Sequence, residues 1–127
     1  MLLCDPASCS PAYMSDCLFC KIVNGDIPAR VVHRGDLVTA FRDINSQAPV
    51  HILIVPNRHL VGASHLSDDH GSILAAMFTT AAQLARSEGI DASGYRLVIN
   101  EGLDAGQSVF HLHLHMLGGR RLKWPPG

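Results

Sequence analysis

From Phe110 to Met116 the chain alternates apolar and imidazole side chains without a break, within the stretch Ser108-Val-Phe-His-Leu-His-Leu-His-Met-Leu-Gly118. As a β-strand, this period-2 pattern sends Phe110, Leu112, Leu114 and Met116 to one side of a sheet and His111, His113 and His115 to the other. A helix would instead smear the three histidines around its axis at about 100° per residue. The stretch therefore predicts a half-buried strand, Phe110 to Leu117, with its greasy face on a core and its imidazoles lining a cleft. Imidazole changes charge near neutral pH, which makes that cleft a candidate site for proton transfer, nucleophilic attack or metal binding.

A chain of 127 residues, 47% of them hydrophobic, is long enough for one buried core and too short for two. Ten Lys and Arg balance eleven Asp and Glu. Apart from Arg120, Arg121 and Lys123 they are scattered, so no nucleic-acid partner is expected. No apolar run approaches the roughly 18 residues that span a bilayer, so no membrane is expected either. The start, Met1-Leu-Leu-Cys-Asp-Pro, has neither a basic lead nor an extended apolar stretch, so it does not read as a secretory signal. A cytoplasmic address is the expectation, which disfavours disulfides among Cys4, Cys9, Cys17 and Cys20.

Residues 1–14 lack periodicity and read as a disordered lead-in to a domain at 15–127. A short helix is predicted over Cys17 to Asn24, capped by Asp16 and closed by Gly25. Strands are predicted at Ala29 to Arg34 and Leu37 to Arg42, joined through Gly35-Asp36. Val50 to Val55 is apolar on both faces, hence a central strand. Ser67 with Asp68 and Asp69 opens one long helix that Gly89 ends, its apolar line running through Ile73, Leu74, Met77, Ala81, Leu84 and Ala85. Met77 and Phe78 are assigned to a core or a subunit contact. Tyr95 to Asn100 and the histidine stretch complete five strands. The prediction is an α+β domain: a five-stranded antiparallel sheet with one long and one short helix.

Two further features bear on chemistry. The connection Glu101-Gly-Leu-Asp-Ala-Gly-Gln-Ser108 places glycine-freed amides and a hydroxyl directly before the imidazoles, an arrangement suited to an anion. Cys17-Leu-Phe-Cys20 supplies two thiols at zinc spacing. On its own it is equally readable as a redox pair or as two buried thiols, because a tetrahedral site needs two more ligands.

The segment Asn100 to Arg120 resembles the signature of the histidine triad (HIT) family. The chain as a whole resembles its branch of purine nucleoside phosphoramidases. Further matches are Ile27-Pro28-Ala29, Ala40-Phe41-Arg42-Asp43-Ile44, Gln47-Ala48-Pro49, His51-Ile-Leu-Ile-Val-Pro56 and Trp124-Pro-Pro-Gly127. The resemblance implies hydrolysis of nucleoside 5′-phosphoramidates, and of aminoacyl adenylates, through a nucleotidyl-histidine intermediate. By position, His113 would be the nucleophile, His115 would serve the phosphoryl oxygens or the departing amine, and His51 would orient the triad. Ser108, Asn100 and the amides of Gly106, Gln107 and Val109 would hold the phosphoryl group. Asp43 would bind the ribose. Leu18, Phe19, Ile22, Phe41, Ile44 and Leu53 would form the base slot for AMP or GMP. Arg42 departs from a histidine common in the branch. Zinc-bearing relatives take their remaining ligands from the positions of His59 and His111, which with Cys17 and Cys20 implies a structural zinc. A homodimer is the corresponding expectation for assembly.

Two rival readings stand beside this one. His111, His113 and His115 together could hold a catalytic metal, although alternate strand residues lie about 7 Å apart and converge poorly on one ion. Alternatively, the chain is a purine nucleotide-binding scaffold with incidental hydrolysis.

Overall fold

The computed structural model describes residues 13–127. Cys4, Cys9 and most of the expected lead-in therefore lie outside the described residues. Seven principal elements follow in order: α1 (Leu18–Asn24), β1 (Val31–Arg34), β2 (Val38–Arg42), β3 (Val50–Pro56), α2 (Gly71–Ser87), β4 (Tyr95–Val98) and β5 (Leu114–Gly118). The strands form one antiparallel sheet in the order β1-β2-β3-β5-β4, with β3 at its centre, as its two apolar faces require.

The pleat divides the core in two. Val38, Ala40, Ile52, Ile54, Leu114 and Met116 face α2 and pack with Met77, Ala81, Leu84 and Ala85 in the main cluster. Phe41, Leu53 and Val55 point the other way and pack with Phe19 and Ile22 of α1. The sheet is thus covered on one side by α2 and on the other by α1. Phe78 falls outside both clusters at 46% exposure, so of the helix's Met-Phe pair only Met77 is core.

Several boundaries differ from the sequence expectation. The N-cap of α1 is Cys17 rather than Asp16, its sulfur accepting the Cys20 N–H at 3.4 Å. Gly25 ends α1 at φ +83°, a left-handed conformation that glycine adopts without a side-chain clash. Ser67 caps a single 3-10 turn, Asp68–His70, that runs into α2. β1 begins at Val31, not Ala29, and β4 ends at Val98, not Asn100.

The largest difference concerns the histidine stretch. β5 begins only at Leu114, opposite Ile54, and residues 110–113 lie outside the ladder. β3 ends at Pro56, which has no N–H to extend the pairing, and the Leu112 N–H turns instead to the Leu60 carbonyl at 2.6 Å. Leu112 still joins Leu114 and Met116 in the core, whereas Phe110, expected beside them, is 46% exposed.

Candidate functional site

α1 places Cys17 and Cys20 three residues apart on one side of its first turn, facing two histidines from distant segments. The Cys17 and Cys20 sulfurs lie 3.4 and 3.5 Å from His111 Nδ1, Cys20 Sγ lies 3.3 Å from His59 Nδ1, and the two Nδ1 atoms are 3.2 Å apart. The four residues form one potential metal-binding group. Bonds of about 2.3 Å to sulfur and about 2.0 Å to nitrogen, spread tetrahedrally, give edges on the order of 3.3–3.8 Å, so the observed spacings fit zinc. His111 is oriented for the role: its Nε2–H donates to the Pro56 carbonyl at 2.8 Å, leaving the Nδ1 lone pair toward the cluster. Burial pushes the Cys20 thiol up to about 11 and lowers His111 to about 4, so without a cation these two side chains are held neutral.

His113 lies next. Its Nδ1–H donates to the His111 carbonyl at 2.7 Å, so the neutral ring carries its lone pair on Nε2. The edge-on ring of Phe19, 5.1 Å away between centroids, packs against it.

His115 has the opposite tautomer, and His51 sets it. The Gln47 N–H donates to His51 Nδ1 at 3.0 Å, which puts the His51 proton on Nε2. That proton faces His115 Nδ1 at 2.9 Å, and His115 therefore keeps its own proton on Nε2. His51 and His115 are diagonal neighbours across β3 and β5, His51 lying opposite Leu117. The Asp43 carboxylate lies 3.4 Å from His51 Nε2. Burial, reinforced by His113 and His51, holds His115 down to about 4, and burial also lowers His51.

Asp43, His51 and His115 form a second potential metal group. Coordination through His51 Nε2 would require that nitrogen's proton to move to Nδ1, where it would oppose the Gln47 N–H. As the tautomers stand, the His51 Nε2–H lies between His115 Nδ1 and the Asp43 carboxylate, a geometry suited to moving a proton. The three triad imidazoles do not converge on one ion, since His111 faces the cysteines and His113 donates to a carbonyl.

The glycine-rich connection is narrower as an anion site than its sequence suggested. The Gly106 N–H donates to Leu103 O and the Gln107 N–H to Gly102 O, both at 3.0 Å, so neither amide is a free phosphate donor. The buried Gln107 side chain accepts from the Gly102 N–H and donates to the Val61 and Val109 carbonyls, bracing the loop. Among the described residues no partner engages the Ser108 N–H or hydroxyl, the Val109 N–H or the Asn100 side chain.

Of the expected base slot, Phe19, Ile22, Phe41 and Leu53 are packed into one another, while Leu18 is 47% exposed and Ile44 fully exposed. Only edges of the four packed side chains reach the surface. Asp43 and His51 line a small cleft of about 150 Å³ with Ser46 and Pro49. Arg42 is held by Glu88 through two bonds of 2.9 Å. The roles of Gln47 and Glu88 were missed by sequence reasoning: one acts through its main chain, the other across 46 residues.

The HIT domain profile matches residues 24–122. The chain belongs to the HIT domain family. It is 49% identical over 105 residues to the purine nucleoside phosphoramidase of Escherichia coli, covering 83% of this chain and 88% of that protein. An uncharacterized HIT-like protein of Synechococcus elongatus is 46% identical over 112 residues, covering 88% and 97%. Among solved structures, a HIT family hydrolase from Legionella pneumophila superposes with a TM-score of 0.87 at 49% identity, covering 88% of this HIT chain and all of the other. A histidine triad protein from Clostridium difficile gives 0.84 at 41%, covering 87% and 96%. These relatives bear out the α+β HIT fold.

Proposed function

We propose that the protein is a nucleotide hydrolase acting as a purine nucleoside phosphoramidase, cleaving the P–N bond between AMP or GMP and an amine. The observation that carries this reading is the pair of opposite tautomers: a bare Nε2 on His113 beside an Nε2–H on His115, rings 5.0 Å apart. His113 Nε2 attacks phosphorus, and the P–N bond breaks as His115 Nε2–H protonates the leaving nitrogen. In the same step the His51 Nε2 proton shifts onto His115 Nδ1, so the His51–His115 pair is one proton short and offsets the charge gained by nucleotidyl-His113. Water then attacks the phosphorus, giving its proton to His115 Nε2 while the Nδ1 proton goes back to His51, and AMP leaves with the His113 lone pair restored and both other rings as they began. Splitting one displacement into two suits imidazole, which both attacks and departs well near neutral pH. Aminoacyl adenylates would follow the same course.

The unengaged Ser108 and Val109 N–H groups, the Ser108 hydroxyl and Asn100 are the donors for the phosphoryl oxygens. Asp43 receives the ribose hydroxyls, and the base lies on Leu18 and Ile44 over the edges of Phe19, Ile22, Phe41 and Leu53. Cys17, Cys20, His59 and His111 hold a structural zinc, which supplies a cross-link between α1, the segment after β3 and the segment before β5. Residues 15–127 constitute the domain, a cytoplasmic homodimer by analogy with the family. Among the described residues no helix is long and apolar enough to cross a membrane.

The test is to mix the protein with adenosine 5′-phosphoramidate, denature it in alkali during turnover and examine the peptides by mass spectrometry. An AMP adduct on His113, absent from His113→Ala, is expected. Turnover with no adduct on any histidine would exclude the covalent route, and AMP binding without turnover would favour the scaffold reading.

A further inference from the structure

The register of β4 against β5 sets Tyr95 opposite Gly118, so the start of one strand and the segment leaving the other lie side by side. Arg120 and Arg121, adjacent in sequence, are thereby joined by Arg96 from a different stretch of chain. All three line one cavity of about 740 Å³ between these segments and the turn that follows α2. None of the three meets a carboxylate, the ion pairs among the described residues being Arg42 with Glu88 and His51 with Asp43. Main-chain oxygens tether two of them instead: Arg96 donates to the Lys123 carbonyl at 2.9 Å, and Arg120 to those of Arg121 and Gln47 at 3.1 and 2.9 Å. A carbonyl fixes a guanidinium without cancelling its charge, and with five N–H donors on each group most stay open. The Arg121 side chain engages nothing among the described residues. Ser93 and Tyr95 also line the cavity, their hydroxyls without a partner among the described residues.

We propose that this cavity binds a small organic polyphosphate, at a site separate from the triad. Like charges gathered in a concavity raise its attraction for anions, and the planar fork of arginine matches the oxygens of a phosphoryl group. A single phosphate carries about two negative charges against three guanidiniums. It would also leave most of the volume empty, which falls within the roughly 300–1,000 Å³ of organic ligand sites. Two or more phosphoryl groups on an organic body meet both counts. The phosphates fall to the arginines and the Ser93 hydroxyl, the body to the flanks of Tyr95, Ile90 and Leu122. The cavity shares no lining residue with the cleft of Asp43 and His51, and neither His113 nor His115 lines it, so its occupant binds beside the substrate and not in its place.

The experiment is isothermal titration calorimetry at low ionic strength, with the nucleotide site kept saturated by AMP and with inorganic tripolyphosphate and ATP as probes. One ATP per chain is expected, bound more tightly than tripolyphosphate because the apolar flank adds to the charge contacts. Arg121→Gln and, separately, Arg96→Gln should each weaken ATP binding by about 10-fold or more, the scale of one lost charge-assisted hydrogen bond. Arg34, tethered to the Val23 carbonyl on β1, stands at the opposite edge of the sheet. Arg34→Gln removes the same charge there and should change binding by less than about 2-fold, since exposed charges that far apart are screened. An Arg34→Gln loss equal to that of Arg121→Gln would reduce the attraction to net charge and overturn the site. Absence of heat from either probe would overturn it as well, and so would binding that saturating AMP abolishes, because the probe would then lie in the nucleotide site. Sedimentation of the same variants covers the remaining case. If Arg96→Gln or Arg121→Gln dissociates an assembled species and leaves ATP binding untouched, the cavity is a contact between copies of the chain and the proposal fails.

Discussion

The main-chain carbonyl of His111 accepts the Nδ1 hydrogen of His113 at 2.7 Å, and the ring of the same His111 faces Cys17, Cys20 and His59 through Nδ1. One residue therefore belongs to two centres, its side chain to the cluster and its backbone to the proposed nucleophile. The irregular backbone of residues 110–113 makes this possible. In the ladder, main-chain carbonyls point along the sheet toward neighbouring strands, but outside it the His111 carbonyl is free to meet an imidazole.

The two imidazoles proposed for catalysis should separate by substrate. His113→Ala removes the nucleophile and should lower kcat by on the order of 10⁴-fold or more on every substrate. His115→Gln removes only the proton donor, worth about 10²–10⁴-fold when the leaving group is a basic amine. With a leaving group that departs as a stable anion, such as a nitrophenolate, the His115→Gln loss should shrink toward 10-fold. Steady-state kinetics on both substrate types checks this, and an equal His115→Gln deficit on both would remove His115 as the proton donor.

The proposed relay should also leave a signature in stability against pH. His115 is lowered from 6.5 to about 4, chiefly by burial. Between those values the unfolded chain binds a proton that the folded chain does not, so stability rises with pH across the window. The contribution is fully present above pH 6.5 and is lost as pH falls toward 4. Denaturant midpoints measured from pH 4 to 7.5 should therefore slope less steeply in His115→Gln than in wild type, and parallel curves would count against the shift.

Much of this arrangement was legible in the sequence, for identifiable reasons. β3 reads as central because Val50 to Val55 is apolar on both faces, and His113 and His115 read as partners because alternation survives even where the ladder does not. What was not legible depends on distant chain. The start of β5 is decided by Pro56, where its neighbour runs out of N–H groups. Whether Gly106 and Gln107 offer amides to a ligand or to their own turn cannot be read from composition. Phe19, Ile22, Phe41 and Leu53 would have the same sequence pattern whether they walled a pocket or filled a core, and here they pack together.

Arg42 and Glu88 fasten the end of β2 to the end of α2, with both side chains about three-quarters covered or more, at 26% and 20% exposure. The bidentate geometry and partial burial place this pair at the upper end for surface ion pairs, about 1 kcal/mol. The guanidinium lowers the Glu88 carboxyl below its ordinary range. The contribution should therefore be present above the usual carboxylate pKa near 4.5 and fade as pH falls through the lowered one. A double-mutant cycle with Arg42→Met and Glu88→Gln, read by urea denaturation, should give a coupling of about 1 kcal/mol at pH 7 that shrinks as the pH is taken down through the acid range. No coupling at pH 7 would mean the pair contributes nothing measurable.

The Cys17, Cys20, His59 and His111 cluster should behave as a closed structural site. Its four ligand atoms leave no open coordination position, and three of the residues are buried. Zinc should bind at one ion per chain and protect both Cys17 and Cys20 from thiol reagents. Binding only the folded state, it stabilises by roughly 4 kcal/mol once free metal exceeds its dissociation constant a thousandfold. For a domain of this size that is a rise in Tm on the order of 10–20 °C. Chelation should reverse the rise, and Cys20→Ser should abolish both the stoichiometry and the stabilisation, because it removes a buried thiolate that lies within 3.5 Å of both cluster histidines. Calorimetry with and without chelator, alongside metal analysis of the dialysed protein, decides the matter. A chelator-insensitive Tm together with sub-stoichiometric metal would show that these four residues pack as neutral thiols and imidazoles.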